Sequence, residues 1–364
     1  MSQSQTPSHL TAFREEIDAI DAELVRLLDR RAEIARAVGE AKEGSGRPTF
    51  DPGRGKAVIE RALSRSKGDF PKNGLEHVMR EVVSACLNLQ KPLRVAFLGP
   101  AATYAHLAAA REFGTSVTFE PCEQIRQVFE VVSRGEADYG VVPVENSTGG
   151  MVHQTLDSFF DFELRICSEV LLPIRHCLLS NVDLDKIEHI YSHPQTFQQC
   201  AKWLREHLPS AELHEMASTV KGMIKARRGK NSASIGSALA AEEVGLKIVA
   251  EGIEDNRNNT TRFLVIAKND TPACGDDKTS LMFCVKNKPG ALFHLLKPFA
   301  DRDINLTKIE SRPSKKEAWE YVFFVDLIGH RTSEPVRDAV AELEAQCLML
   351  RILGSYPRER SLRE

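Results

Sequence analysis

Between Leu10 and Val38, apolar residues recur at 10, 13, 17, 20, 24, 27, 34 and 38, and that three-and-four spacing predicts one long amphipathic helix. At 1.5 Å per residue it runs about 45 Å, more than a small domain needs. Up to about residue 92 only two further helical stretches follow, at about 54 to 67 and 73 to 90, with the Gly- and Pro-dense turn "EGSGRPTFDPGRG" (43–55) before the first of them. Two short helices do not cover such a stripe, so a helical dimer is the expected way to bury it.

The stripe has one interruption. Arg31 stands between Leu27 and Ile34, and Lys42 follows three turns later on nearly the same face. A cation on a buried stripe is costly unless it is paired. Arg31 therefore either meets a carboxylate inside the bundle or awaits an anionic ligand, and periodicity does not choose between them.

The 364 residues leave room for two or three domains. A net charge of -3 without a basic block offers no footprint for nucleic acid. No run approaches the roughly 20 apolar residues of a membrane span, and "MSQSQTPSHL" lacks a signal pattern, so the expected location is the cytoplasm, with no membrane partner. The eight cysteines show no CxxC pair or metal-ligand spacing; reduced, buried thiols and no metal are expected.

The style changes at "LRVAFLGPAATYAHLAAAREFG" (93–114), where a short apolar strand, a glycine turn and a helical pattern follow one another. The alternation continues through "ADYGVVPVENS", "IEHIYSHPQTF", "SASIGSALAAEEVGLKIVA" and "TTRFLVIA", which predicts an α/β segment with a largely parallel sheet. No GxGxxG or GxxxxGK marks a nucleotide site. In "YGVVPVENSTGGMVHQTLD" a strand ends at Glu145-Asn146-Ser147 and a helix is expected near Gly149. Amides at such a junction suit an anion, and Ser147 or Thr148 equally suits a helix cap. His193, ahead of Pro194, reads as a cap or packing residue rather than a catalyst. After the polar linker "KNDTPACGDDK", the order strand, helix, strand, strand, helix, strand predicts a ferredoxin-like βαββαβ unit, with Gly290 at a helix start leaving amides for a carboxylate.

Three resemblances add to this. The segment "FREEIDAIDAELVRLLDRRAEIARAVGEAK…RPTFDPGR" resembles the all-helical type of chorismate mutase over residues 10 to 90. That resemblance implies two intertwined protomers and a chorismate site of Arg14 (from the partner chain), Arg31, Lys42, Asp51, Arg54 and Gln90, with Arg31 and Lys42 catalytic. Rearranging chorismate to prephenate needs no nucleophile, proton transfer or cofactor, only a compact conformer held by its carboxylates and a donor near the ether oxygen. The family's glutamate after "DPxR" is Gly55 here, and a serine it often shows aligns with Cys86.

"GPAATYAHLAA", "PVENSTGG", "YSHPQTFQQC" and "GIEDNRNNTTRF" resemble, in order and spacing, the prephenate dehydratases over residues 93 to 268. A two-lobed fold like that of periplasmic binding proteins is implied, with prephenate in the cleft. Thr261 is the implied catalytic hydroxyl, Arg262 an anion clamp, Glu145, Asn146 and Ser147 the floor, and Thr103 the opposite wall; Ala102 and Ala105 depart from the family's pattern. "PGAL" and "ESRP" resemble the ACT regulatory domain of these dehydratases. A phenylalanine site is implied at Gly290, Ala291, Leu292, Asn305, Glu310, Ser311, Arg312 and Pro313, with the domains paired side by side and Asn305 at that interface. The expectation is a three-domain chain: an all-α mutase domain (1–92), an α/β dehydratase domain (93–270) and an α+β ACT domain (278–364). It acts as a homodimer or dimer of dimers on chorismate and prephenate, inhibited by L-phenylalanine.

Overall fold

The long helix forms as expected and extends further, α1 running from Ser8 to Lys42. α2 (Pro52–Arg65) starts on a proline, whose fixed φ and missing N–H suit a first turn, and α3 (Lys72–Gln90) follows Pro71. The computed structural model describes residues 8–44, 48–285, 288–313 and 321–359, so part of the expected 43–55 turn lies outside it. The chain divides into two compact units, one of residues 1–51, 55–92 and 113–117, the other of 52–54, 93–112 and 118–364. In the first unit α1 packs on α3, and Gly39 allows this, because a Cβ there would meet Gln90 Cα at 2.9 Å. The apolar stripe stays in solvent: Leu10, Phe13, Ile17, Ile20, Leu24, Leu27, Ile34 and Val38 are between 41% and 60% exposed.

The second unit holds three sheets. The first carries β1 (Arg94–Leu98), β2 (Thr118–Cys122), β3 (Tyr139–Asn146), the short β4 (Gly150–Met151), β5 (Arg165–Pro173) and the late β11 (Thr260–Ala267), in the order β2-β1-β3-β11-β5 with β4 beside β3. The second, in the order β10-β6-β9-β7-β8, comprises β6 (Cys177–Ser180), β7 (His189–Ser192), β8 (Glu212–Glu215), β9 (Ser232–Gly236) and β10 (Lys247–Glu251). Helices α4 (Tyr104–Phe113), α5 (Ile125–Arg134) and α6 (His153–Asp161) connect the strands of the first sheet. α7 (Pro194–Gln199), α8 (Ala201–His207), α9 (Thr219–Arg228) and α10 (Ala238–Val244) connect those of the second.

The chain thus crosses between the two sheets twice, at 173–177 and 251–260, which makes the two-lobed body expected from the resemblance. The sheets are not largely parallel. β1 runs parallel to β2 and β3, and β7 to β8 and β9, but β11 is antiparallel to both its neighbours and β6 to both of its own. The two crossing passages return the chain in the opposite sense, and local alternation carries no trace of that.

The third sheet has the expected βαββαβ order: β12 (Asp277–Val285), α11 (Ala291–Ala300), β13 (Leu306–Pro313), β14 (Tyr321–Ile328), α12 (Glu334–Glu344) and β15 (Met349–Pro357). Its antiparallel strands lie β13-β14-β12-β15. One continuous apolar core joins it to the first lobe, with Val142, Phe159 and Ile166 packed in the same cluster as Met282, Phe324 and Tyr356. Gly354 lets β15 close on β5, since a Cβ there would meet the Ile166 carbonyl oxygen at 2.1 Å. The expected polar linker is accordingly partly built in: Thr271 is buried and donates to Cys167 O, and Asp277 accepts the amides of Cys274 and Gly275.

Candidate functional site

In the helical unit, Arg31 is half-buried and donates from Nη1 to Val82 O at 3.1 Å; among the described residues it makes no ion pair. Lys42 Nζ donates to Pro48 O and Thr49 O at 3.2 and 3.0 Å. Gln90 Oε1 is buried with no hydrogen-bond partner among the described residues, a costly state that a ligand donor relieves. Asp51 immediately precedes α2, and Arg54 sits in its first turn. A Cβ at Gly55 meets nothing within 4 Å, so space for the family's side chain exists. Arg14 lies seventeen positions before Arg31 on the same helix, about 26 Å along its axis.

In the two-lobed body, the "ENSTGG" motif is a hairpin rather than a strand-to-helix junction. β3 turns at Ser147 to Gly149 into β4, and α6 starts only at His153. The amides expected to hold an anion are already satisfied: Asn146 Oδ1 accepts from Thr148 N, Thr148 Oγ1 and Gly149 N at 3.1, 2.7 and 2.8 Å. That locked amide turns its Nδ2 to Thr261 Oγ1 and to Asn259 Oδ1, both at 2.8 Å. Thr261, on β11 opposite Asn146, is 9% exposed. Because its oxygen accepts from Asn146, its own O–H is left to donate elsewhere.

Beside this pair a cleft of about 290 Å³ is lined by Thr148, Gly149, Gln195, Gln199, Glu254 and Asn259, among others. The crossing passages are tied together here. Glu254 accepts from His176 N at 2.8 Å and from Arg175 Nη1 at 3.0 Å, and Tyr104 donates its hydroxyl to Arg175 O. His176 reaches Gln199 Oε1 at 2.8 Å, and burial holds its pKa below the ordinary histidine value despite Gln199 and Glu254. Gln195, Gln199, Glu254 and Asn259 were not singled out from sequence. They stand in "YSHPQTFQQC" and "GIEDNRNNTTRF", so the motifs flagged the loops without saying which members face the cleft. His193 caps α7 by accepting from Gln195 N at 3.2 Å, as its place before Pro194 indicates.

Three expected substrate contacts take other partners. Arg262 is the clearest case. Its Nε donates to Glu169 at 2.7 Å, Nη1 to Asp326 at 2.5 Å and Nη2 to the Tyr356 hydroxyl at 2.9 Å, all buried between β11, β5 and the third sheet. Lys278 adds a second cation on Glu169 at 2.7 Å, and Ser280 donates to Asp326 at 2.6 Å. Burial opposes both charges, yet the facing carboxylates hold the Arg262 pKa well above its ordinary value. Arg262 and Lys278 likewise keep the Asp326 carboxyl below its own. Neighbours on a strand point to opposite faces: Thr261 meets Asn146 while Arg262 reaches into the third sheet, where it pegs that sheet to β5 and β11. Ser147 Oγ donates to Asn258 O and accepts from Thr260 N, stapling the hairpin to β11. Thr103 Oγ1 donates toward Leu98 O and Pro100 O at the head of α4, which makes it a turn residue.

The third sheet touches the β3–β4 hairpin and α6 directly. Lys308 Nζ on β13 lies 2.6 Å from Glu145 Oε2, and Arg312 Nη2 lies 3.3 Å from Asp157 on α6. Arg312 Nη1 is buried without a partner among the described residues. Gly290 precedes α11 with φ +75° and no side-chain cap on the following turn, as the glycine suggested. Pro313 is level with Val285 through Tyr321, so Glu310 to Pro313 sit at the sheet end that leads into Gly290, Ala291 and Leu292. Asn305 is at the other end of β13, five residues or about 17 Å from Glu310. None of the eight cysteines forms a disulfide, and Cys86, Cys122, Cys167, Cys177, Cys200 and Cys284 are buried.

A helical domain, a two-lobed α/β body around a polar cleft and a βαββαβ domain define the class: a multidomain enzyme with a mutase, a dehydratase and a regulatory part. Family models match in that order: chorismate mutase type II over residues 13–91, prephenate dehydratase over 95–271 and ACT domain over 279–345. The chain is 46% identical to the bifunctional chorismate mutase/prephenate dehydratase of Aquifex aeolicus, over 96% of this chain and 98% of that one. It is 40% identical to the same enzyme of Pseudomonas aeruginosa with equal coverage. Its structure is similar to that of the Arthrobacter aurescens prephenate dehydratase in complex with L-Phe, with a TM-score of 0.69 and 36% identity over 73% of this chain and 90% of the other. The chain belongs to the bifunctional chorismate mutase/prephenate dehydratase family, an isomerase and a lyase in one polypeptide.

Proposed function

We propose that the two reactions run on separate residue sets, in domains bounded near residues 92, 270 and 278. Arg31, Lys42, Asp51, Arg54 and Gln90 hold chorismate in its compact conformer, the cations taking the carboxylates and a donor meeting the ether oxygen as charge develops there. Arg14 joins that site from a second copy, because about 26 Å of helix separates it from Arg31 in its own chain. The exposed stripe of α1 supports the same dimer, since a helical partner removes that apolar face from water.

Prephenate binds in the cleft beside Asn146. Thr261 donates its hydroxyl hydrogen toward the ring hydroxyl as that group departs with carbon dioxide, and aromatisation drives the step. The observation that carries this reading is the Asn146-to-Thr261 hydrogen bond, which fixes the acceptor side of Thr261 and leaves its donor for the leaving group. L-phenylalanine binds between paired ACT domains. A single domain keeps Asn305 about 17 Å from Glu310, whereas two antiparallel neighbours bring one's Asn305 to the other's Glu310–Pro313 and Gly290–Leu292. Lys308 and Arg312 then carry the signal through Glu145 and Asp157 to the cleft. The enzyme works in the cytoplasm, where free thiols persist.

Purified protein supplied with chorismate alone, then with prephenate alone, tests the scheme. Phenylpyruvate forms from both and phenylalanine suppresses it. Turnover of prephenate without consumption of chorismate would remove the mutase assignment and leave the dehydratase standing.

A further inference from the structure

The outer edge of the second sheet carries a side-chain cluster that neither reaction uses. β7 and β8 run parallel with His189 opposite Glu212 and Tyr191 opposite His214. Side chains alternate along a strand, so these four stand on one face. His189 Nδ1 lies 3.2 Å from His214 Nε2. Glu212 Oε2 lies 3.4 Å from the first nitrogen and 3.5 Å from the second. The Tyr191 ring stacks on His214 with centroids 4.6 Å apart and planes 14° from parallel, which restrains the imidazole.

These distances match a metal triangle. Ligands about 2.05 Å from a tetrahedral ion are about 3.35 Å from one another, and the three separations all fall within roughly 0.2 Å of that value. An ion about 0.6 Å above the plane of the three atoms is about 2.05 Å from each, the usual zinc–nitrogen and zinc–oxygen length. A hydrogen bond between the two imidazoles requires only the first contact. It gives no reason for a carboxylate oxygen nearly equidistant from both nitrogens.

We propose that His189, Glu212 and His214 form a tetrahedral site for a divalent transition ion of the zinc class, with water in the fourth position. Two imidazoles and one carboxylate suit zinc, cobalt or nickel, whereas magnesium and calcium favour all-oxygen shells. Partial exposure of both rings gives the ion direct entry. β8 is the last strand of its sheet, bonded among the described residues only to β7. The ion therefore adds a side-chain tie between an edge strand and its neighbour.

The test uses the full-length protein after dialysis against a chelator. Zinc chloride is titrated in competition with a chromophoric chelator, for the wild type, His189→Ala/His214→Ala and Glu212→Gln. The wild type is expected to take up one more zinc per chain than the double variant, and Glu212→Gln to bind that ion at least tenfold more weakly. Cobalt supplies the ligand identity: tetrahedral d–d absorption without a thiolate charge-transfer band excludes capture by the exposed Cys274. Zinc should raise the thermal midpoint of the wild type and not of the double variant, while dehydratase turnover of both without metal stays equal, reporting an intact fold. Equal zinc uptake by wild type and double variant, or a thiolate band in the wild type, would overturn the proposal.

Discussion

Replacing Arg262 by methionine separates two roles for that side chain, the interdomain peg and the substrate clamp. In the native cluster Arg262 and Lys278 balance Glu169 and Asp326. Arg262→Met leaves two buried carboxylates facing one ammonium, strands the Asp326 oxygen that the guanidinium had met, and leaves the Tyr356 hydroxyl with Ser280 alone. Removing one side of a buried ion pair costs about 3–5 kcal/mol, because the remaining charge keeps its desolvation penalty without its partner. With a urea m-value of roughly 3 kcal/mol/M for a protein of this size, the unfolding midpoint should fall by about 1 M or more. Adding Asp326→Asn to the same chain restores a balanced Glu169–Lys278 pair, and part of the lost stability should return. Urea unfolding followed by circular dichroism measures both variants, and chorismate consumption serves as a control on the helical unit. A variant with wild-type stability and a 10²-fold or greater loss of dehydratase kcat/KM would refute the peg and restore the clamp.

Arg31→Ala should abolish chorismate consumption while prephenate dehydration stays within about twofold, since the interaction removed acts only on the mutase transition state; steady-state rates on each substrate measure it. Lys308→Met should weaken phenylalanine inhibition by about tenfold or more in the concentration for half effect, within the 1–3 kcal/mol usual for coupling between sites. Inhibition curves with prephenate as substrate check that value. The Asp326 carboxyl, held below its ordinary pKa in the folded protein, contributes stability that is complete above about pH 4 and is lost as pH falls through its native value. Thermal midpoints between pH 3 and 5 should therefore fall less steeply for Arg262→Met than for the wild type.

The helical unit was legible because its evidence is periodic. Eight apolar positions at helical spacing fixed α1 and left its stripe unpartnered, and Arg31 stood out as the exception. The ACT order was legible for the same reason, strands and helices alternating between turn signals. The fate of Arg262 was not read, although signals existed. Period-two alternation sends Thr261 and Arg262 of "TTRF" to opposite faces, so one motif does not give two ligands to one cleft. The acids Glu169 in "RICSEVLLP" and Asp326 in "YVFFVDLIG" sit inside apolar strands, where each needs a cation. Which cation answers them depends on strands 64 to 109 residues apart in the chain, and no local pattern carries that. The "ENSTGG" hairpin was misread for a different reason. A short β4 of two residues delays α6 to His153, and two residues are too few to show alternation.

The most direct test of two reactions on separate residue sets is Thr261→Val, which keeps the side-chain shape and removes only the hydroxyl. Phenylpyruvate formation from prephenate should fall by about 10² or more, the usual scale for losing one aimed donor, while chorismate is consumed at the wild-type rate and prephenate accumulates. Near-normal phenylpyruvate formation by a folded Thr261→Val protein would contradict the assignment of the dehydratase step to this threonine.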